Sequence, residues 1–177
     1  MEKFKTINLK NNQQAKLCIL CPSQKDKEYM VLAVSDNKQV GYCYFSIKND
    51  DCKICRIAVT NPQFLSTGLG SAMFGTMEQF ASQNGAKYVS GIFVARGYPN
   101  AHQMTSKFYK NHGFVPEDEE FFDREDIFKK IMPQTNFDVP VIANNELYNQ
   151  LSHYNFSVND MFSSSKKEDA SEPQFDL

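Results

Sequence analysis

Residues 1 to 60 group their apolar positions into short strand-like runs separated by polar residues. The segments 3–9, 15–21, 29–34 (YMVLAV), 40–47 (VGYCYFSI) and 53–59 (KICRIAV) are rich in β-branched and aromatic residues, and each reads as a strand. Asn11-Asn12, Pro22-Ser23, Asp36-Asn37 and Asn49-Asp50-Asp51 separate them with turn chemistry. Such short links imply antiparallel hairpins, so this half of the chain reads as a meander.

After Pro62 the period lengthens. Leu69, Ala72, Met73, Thr76, Met77, Phe80 and Ala81 recur at helical spacing, which predicts a helix over 70–84 that stops at Gly85. A strand over 88–95 follows. A second helix begins after Pro99, buries Ala101, Met104, Thr105 and Phe108, and stops at Gly113. Phe114 starts another extended run, and 126–132 (DIFKKIM) reads as the last strand. Residues 1–132 then form one domain and 133–177 an extension. In the extension, Asn144-Asn145-Glu146 opens a short helical pattern through Leu147, Leu151 and Tyr154. The closing SSSKKEDASEPQFDL has the composition of a disordered tail, so compact structure is expected to end near Phe162.

The 177 residues, 41% of them hydrophobic, suffice for one core. A net charge of −2 supplies no basic field to gather nucleic acid or anionic membrane, and no apolar run approaches the roughly 20 residues that span a bilayer. The first twenty residues hold no signal-peptide core, and the expectation is a cytoplasmic protein. Five cysteines is an odd number, which speaks against a disulfide framework. Cys18 with Cys21 and Cys52 with Cys55 form two C-x-x-C pairs, a spacing that zinc sites use. Both pairs lie on strand-like segments, where positions i and i+3 face opposite sides of a sheet, so no metal is expected.

The richest chemistry lies in 57–73, IAVTNPQFLSTGLGSAM. A strand enters a bend, Thr67-Gly68-Leu69-Gly70-Ser71, and a helix starts there. Such a junction aims unpaired N–H groups and the positive end of the helix dipole at one point, and glycines admit a ligand close to the backbone. The alternative is a plain glycine turn with a Thr or Ser cap. A dinucleotide fingerprint is excluded because Met73 stands where its third glycine belongs, and a P-loop because no lysine lies between Lys53 and Lys87.

A second constellation, Ser106 to Phe114 (SKFYKNHGF), ends a helix at Gly113. Together the two segments resemble the GNAT superfamily of N-acetyltransferases over about residues 30–132. The resemblance rests on Ile57-Ala58-Val59, on Leu65-Ser66-Thr67-Gly68-Leu69-Gly70, on Thr105 through Tyr109 to Gly113-Phe114, and on the closing DIFKKI strand. It implies an α/β (α+β) fold with a mixed, mostly antiparallel central sheet, helices on both faces and a splayed parallel strand pair. It also implies acetyl-CoA as co-substrate, with no metal. Ser66, Thr67, Gly68, Leu69, Gly70 and Ser71 would bind the pyrophosphate through backbone amides. Ile57, Ala58 and Val59 would hold the pantetheine arm and acetyl carbonyl along an open strand edge. A primary amine, on a small molecule or a protein, would attack the thioester directly. Tyr109 would protonate the departing thiolate, since a phenol of ordinary pKa near 10 keeps its proton at neutral pH. As a residue on an amphipathic helix, the same tyrosine can equally be core packing. His102 and Glu28 are the nearest candidates for a base, each with a plain surface reading beside it.

This chain departs from the family pattern in three places. Leu65 replaces the usual Gln or Arg, and His102 stands where many members have Asn. The two helices expected between the first two strands have no room in residues 9–28. Residues 143–162 are the candidate for the missing wall, supplied by the same chain or by a second copy in a homodimer. The run 117–126 (EDEEFFDRED) carries a net −6 and would gather a cationic amine at its rim, or simply be a solvated loop. Leu65 and the missing helices support the alternative of a catalytically inactive binding or assembly module.

Overall fold

In the computed structural model the described residues are 4–23, 27–92, 101–114, 126–131 and 137–143. Eight strands form one sheet: β1 (Lys5–Asn8), β2 (Gln14–Ser23), β3 (Glu28–Ser35), β4 (Lys38–Lys48), β5 (Asp51–Val59), β6 (Tyr88–Ile92), β7 (Asp126–Lys130) and β8 (Val141–Ala143). The helices are α1 (Leu69–Gln83) and α2 (Ala101–Asn111). Strands β1 to β5 pair antiparallel in chain order, as the short links demand. Asp36 and Asn37 take left-handed φ of 48° and 58° between the paired Ser35 and Lys38, the two-residue turn whose twist matches the strands it joins. Strand β6 runs parallel to β5 after the α1 crossover, and β7 returns antiparallel to β6.

Alternation along these strands builds two apolar layers. One gathers Leu17, Ile19, Val31, Cys43, Phe45, Cys52 and Val89 beneath Leu69, Met73, Phe74 and Met77 of α1 and Tyr109 of α2. The opposite layer holds Cys18, Leu20, Met30, Leu32, Tyr44 and Ile142. Both described α-helices pack on the first layer. Gly41 sets how closely α1 approaches: a Cβ there would stand 3.0 Å from both the Ala58 carbonyl oxygen and the Met73 methyl.

Both helices end in the same device. Gly85 and Gly113 adopt left-handed φ of 87° and 83°. Ala86 and Phe114 return their N–H to the carbonyls of Ala81 and Tyr109, and the glycine N–H groups reach Ser82 and Lys110. The Phe114 ring meets Tyr109 edge-on at 5.2 Å, the apolar contact that accompanies this cap.

Strand and helix ends among the described residues shift by one or two residues from the sequence expectation, as caps and fraying ends allow, and the expected ends at 95 and 132 lie outside them. Strand β8 lies in the segment read as an extension; its Val-Ile-Ala pairs parallel with Ile19 to Cys21 of β2, so the sheet takes in residues past 132. The helical pattern over 144–154, the end of compact structure near Phe162, the acidic run over 117–125 and the wall over 144–162 lie outside the described residues. Among the described residues, no helix is long and apolar enough to cross a membrane.

The two C-x-x-C pairs do not converge. Cys18 and Cys52 are buried in opposite layers, and Cys55 is exposed. Burial pushes the thiols of Cys18, Cys43 and Cys52 well above their usual range. The native state therefore keeps these protons to higher pH than the unfolded chain, whose thiols ionise near pH 8.5, and stability falls as pH rises past that point. Each thiol removes about 1.4 kcal/mol per pH unit there. The urea midpoint is expected to drop steeply above about pH 9; a midpoint level to pH 11 would contradict this. In native protein a thiol reagent should label Cys55 quickly and Cys18, Cys43 and Cys52 only after denaturation.

Candidate active site

The site begins where two strands part. Across β4, Tyr44 pairs with Arg56 and Phe45 with Ile54, so Cys55 is an extra residue, a β-bulge in β5. Such a bulge bends its strand and sharpens the twist. The ladder between β5 and β6 runs from Asp51 and Tyr88 to Ile54 and Gly91 and ends there among the described residues. Beyond it, Arg56–Val59 continue the ladder with β4. Thr60 donates its N–H to the Val40 carbonyl of β4 at 2.9 Å. Alternation then turns the Ala58 amide toward β4 and those of Ile57 and Val59 toward the opposite side of the strand. The side chains of Ile57 and Val59 pack against the helix-covered layer.

The open edge leads into a tied loop. Asn61 caps a short 3-10 turn (Pro62–Phe64) by accepting from the Gln63 N–H at 3.0 Å, and Phe64 is buried. The Thr67 hydroxyl donates to the Phe64 carbonyl at 2.7 Å, and the Thr67 carbonyl accepts from the Lys10 N–H at 3.0 Å. Thr67 is thus spent inside the loop, and the alternative of a Thr or Ser side-chain cap is not realised. Gly68, at φ 95°, is the N-cap of α1 and offers no side-chain acceptor. The N–H groups of Leu69, Gly70 and Ser71 are the ones a helix start leaves without intrahelical partners, and they point out of the helix end with its partial positive charge.

The two glycines serve different ends. A Cβ on Gly68 would meet nothing within 4 Å, so its requirement is the left-handed backbone, and the space above it is free. A Cβ on Gly70 would stand 3.3 Å from the Phe108 ring, so this glycine seats α2 against the first turn of α1. Phe74 extends the contact, with Phe108 at 6.0 Å and His112 at 4.4 Å. His112 Nε2 lies 3.0 Å from Ser71 Oγ.

Through this packing Tyr109 comes to the same side of the sheet as the bend, 5% exposed, with Phe108 and Phe114 edge-on to its ring. Burial lifts its phenol above the usual tyrosine range, and the Cys43 thiol adds to the effect. Leu65 is half-buried at the end of the 3-10 turn. Glu28 pairs with Ser46, which pairs with Lys53, one row before the strands part. His102 belongs to α2, with its side chain outside the described set. The Cys55 bulge was missed in the sequence reading. It is encoded where the in-out alternation slips: Cys55 and Arg56 are consecutive and both exposed.

The glycine contrast is measurable as stability. Gly68→Ala should destabilise by about 1–2 kcal/mol through left-handed strain alone. In Gly70→Ala the ~1 kcal/mol gained in helix propensity offsets the tight Phe108 contact, leaving a change near zero. Urea titration checks both, and equal effects would contradict the assignment.

No curated protein matches the sequence by similarity. Among solved structures, a GNAT-family acetyltransferase from Desulfovibrio desulfuricans is 19% identical, with a TM-score of 0.49 over 60% of this chain and 71% of that one. The GNAT domain of PAT from S. lividans is 10% identical, with a TM-score of 0.56 over 72% of this chain and 97% of that one. A cAMP-binding acyltransferase from Mycobacterium smegmatis is 11% identical, with a TM-score of 0.57; the match covers 86% of this chain and only 54% of that longer one. The acetyltransferase (GNAT) domain family matches residues 26–116, a span that contains the whole β5 edge, the bend and the Tyr109 helix. With that match and the mixed sheet parting at Ile54, the chain belongs to the GNAT acetyltransferase family.

Proposed function

We propose that the protein is an N-acetyltransferase that moves an acetyl group from acetyl-CoA to a primary amine by direct attack in a ternary complex. The observation that carries this reading is the outward-facing amide edge at Ile57 and Val59, past the last β5–β6 pair among the described residues, beside a helix N-terminus lacking a side-chain cap. A polar edge and an anion-seeking helix end lie in continuous sequence, as a ligand with a diphosphate and an amide-bearing arm requires.

In this reading the amides of Leu69, Gly70 and Ser71 receive the pyrophosphate, and the shape set by Ser66, Thr67 and Gly68 keeps the approach open. Ile57, Ala58 and Val59 line the arm, and the outward amides of Ile57 and Val59 serve its carbonyls. The bound thioester supplies an activated acetyl group. An N–H near Val59 stabilises the negative charge that develops on the carbonyl oxygen. Tyr109 Oη holds the proton that the departing thiolate takes up. The acceptor attacks as a free amine; a lysine-like ammonium has no lone pair to offer. A cytoplasmic setting and a small-molecule or protein amine complete the proposal.

One observation favours a second reading. Tyr109 is buried and serves as the apolar partner in the cap of α2, a duty that a phenylalanine would perform as well. A member that binds CoA without transfer would show the same geometry. Tyr109→Phe separates the two because it leaves the Phe114 contact in place.

Acetyl-CoA at about 100 times its dissociation constant should stabilise the fold by about 2.7 kcal/mol, visible as a raised melting temperature. No protection at millimolar acetyl-CoA would end the proposal. For the enzyme, Tyr109→Phe should lower CoA release by about 10²-fold or more while acetyl-CoA affinity stays within about twofold. Wild-type protein that binds acetyl-CoA but acetylates no amine in a broad panel is the binding module.

A further inference from the structure

The first turn of α1 is bonded to the end of α2 through one pair of polar side chains. His112 Nε2 lies 3.0 Å from Ser71 Oγ, and the imidazole is held at 4.4 Å from Phe74 and 4.5 Å from Phe108. Ser71 is the third residue of α1, so its N–H is one of those that a helix start leaves over. Its hydroxyl is exposed at the same turn.

We infer that His112 is a positioning residue for the phosphate end of the site, acting through the Ser71 hydroxyl and coupling CoA affinity to its own protonation. This rests on the reading of the bend as a pyrophosphate site. The chemistry follows from the single proton that a 3.0 Å pair shares. When Nε2 is bare, it accepts the Ser71 hydroxyl proton, and Ser71 has none left for a phosphate oxygen. When Nε2 carries a proton, the ring donates to Oγ, and the serine proton turns outward to an anion. The imidazolium enforces the second arrangement and adds positive charge beside the helix end.

Affinity for CoA therefore rises as falling pH puts a proton on His112. Among the described residues, α1 brings Ser71 and Phe74 to this contact; its one charged residue, Glu78, lies nearly two turns further along. On its own element, Lys107 and Lys110 are the neighbouring cations and Tyr109 the neighbouring titratable group, with Phe114 following.

The test is calorimetric titration of the full chain with CoA at pH 6 and pH 8, for wild type, His112→Gln and Ser71→Ala. Glutamine keeps a donor near the Nε2 position but cannot take up a proton, and Ser71 is exposed, so its truncation spares the packing. The ligand's own phosphate titration is common to all three proteins. Wild type should gain about tenfold more affinity from pH 8 to pH 6 than either variant. Equal ratios in all three proteins that bind CoA would overturn the inference, as would loss of the pH effect in His112→Gln alone. Absence of CoA binding by wild type at both pH values would remove the site itself, a different failure from the first two.

Discussion

A strand inside a sheet satisfies its backbone on two sides, and among the described residues β5 is paired on both sides over its first four residues. From Asp51 to Ile54 it is bonded to β4 and β6; from Arg56 to Val59 the pairing among the described residues is with β4. An amide buried without a partner is worth about 1–3 kcal/mol of lost stability, so this edge needs water or a ligand along it. The Cys55 bulge directly follows the last described β5–β6 pair and bends the strand there. The rest of the site depends on this: the edge runs without interruption into the loop that delivers Gly68 and the start of α1.

Packing on the helix-covered face then brings α2 to the same place. Gly70 lets Phe108 approach, Phe74 receives Phe108, His112 and Phe114, and the glycine cap at Gly113 brings Phe114 back over Tyr109. These contacts fix the position of α2 relative to the bend through several aromatic pairs of roughly 1 kcal/mol each, not through any one strong bond. They also give the spacing Tyr109 to Gly113-Phe114 a structural cause independent of catalysis. The residues between the two capping hydrogen bonds must number what they do for the helix to end there. What capping leaves unexplained is the hydroxyl, since a phenylalanine ring would pack as well.

Much of this was legible in the sequence. Runs of β-branched and aromatic residues between turn signals located the five meander strands, and the helical spacing from Leu69 to Ala81 located α1, because these patterns are written residue by residue. The bend was visible from its glycines, but their division of labour was not. Gly68 answers to its own backbone angle, whereas Gly70 answers to Phe108, a residue 38 positions away that only the folded chain brings near. The alternative of a Thr or Ser cap fails for a related reason: Thr67 is a good cap by type, yet its hydroxyl is taken by Phe64 within the loop. Strand β8 escaped notice because three residues make too short a period, and its partner β2 lies some 120 positions earlier.

The most direct measurement is a titration of isotopically labelled protein with CoA, followed through the backbone amide resonances. The parted edge and the uncapped helix start should respond together, with the largest shifts at Ile57, Val59, Leu69, Gly70 and Ser71 and little change at the row from Glu28 to Lys53. Shifts spread over other strands, or confined to the helix start with Ile57 and Val59 unmoved, would contradict the claim that the open half of β5 is where the ligand lies.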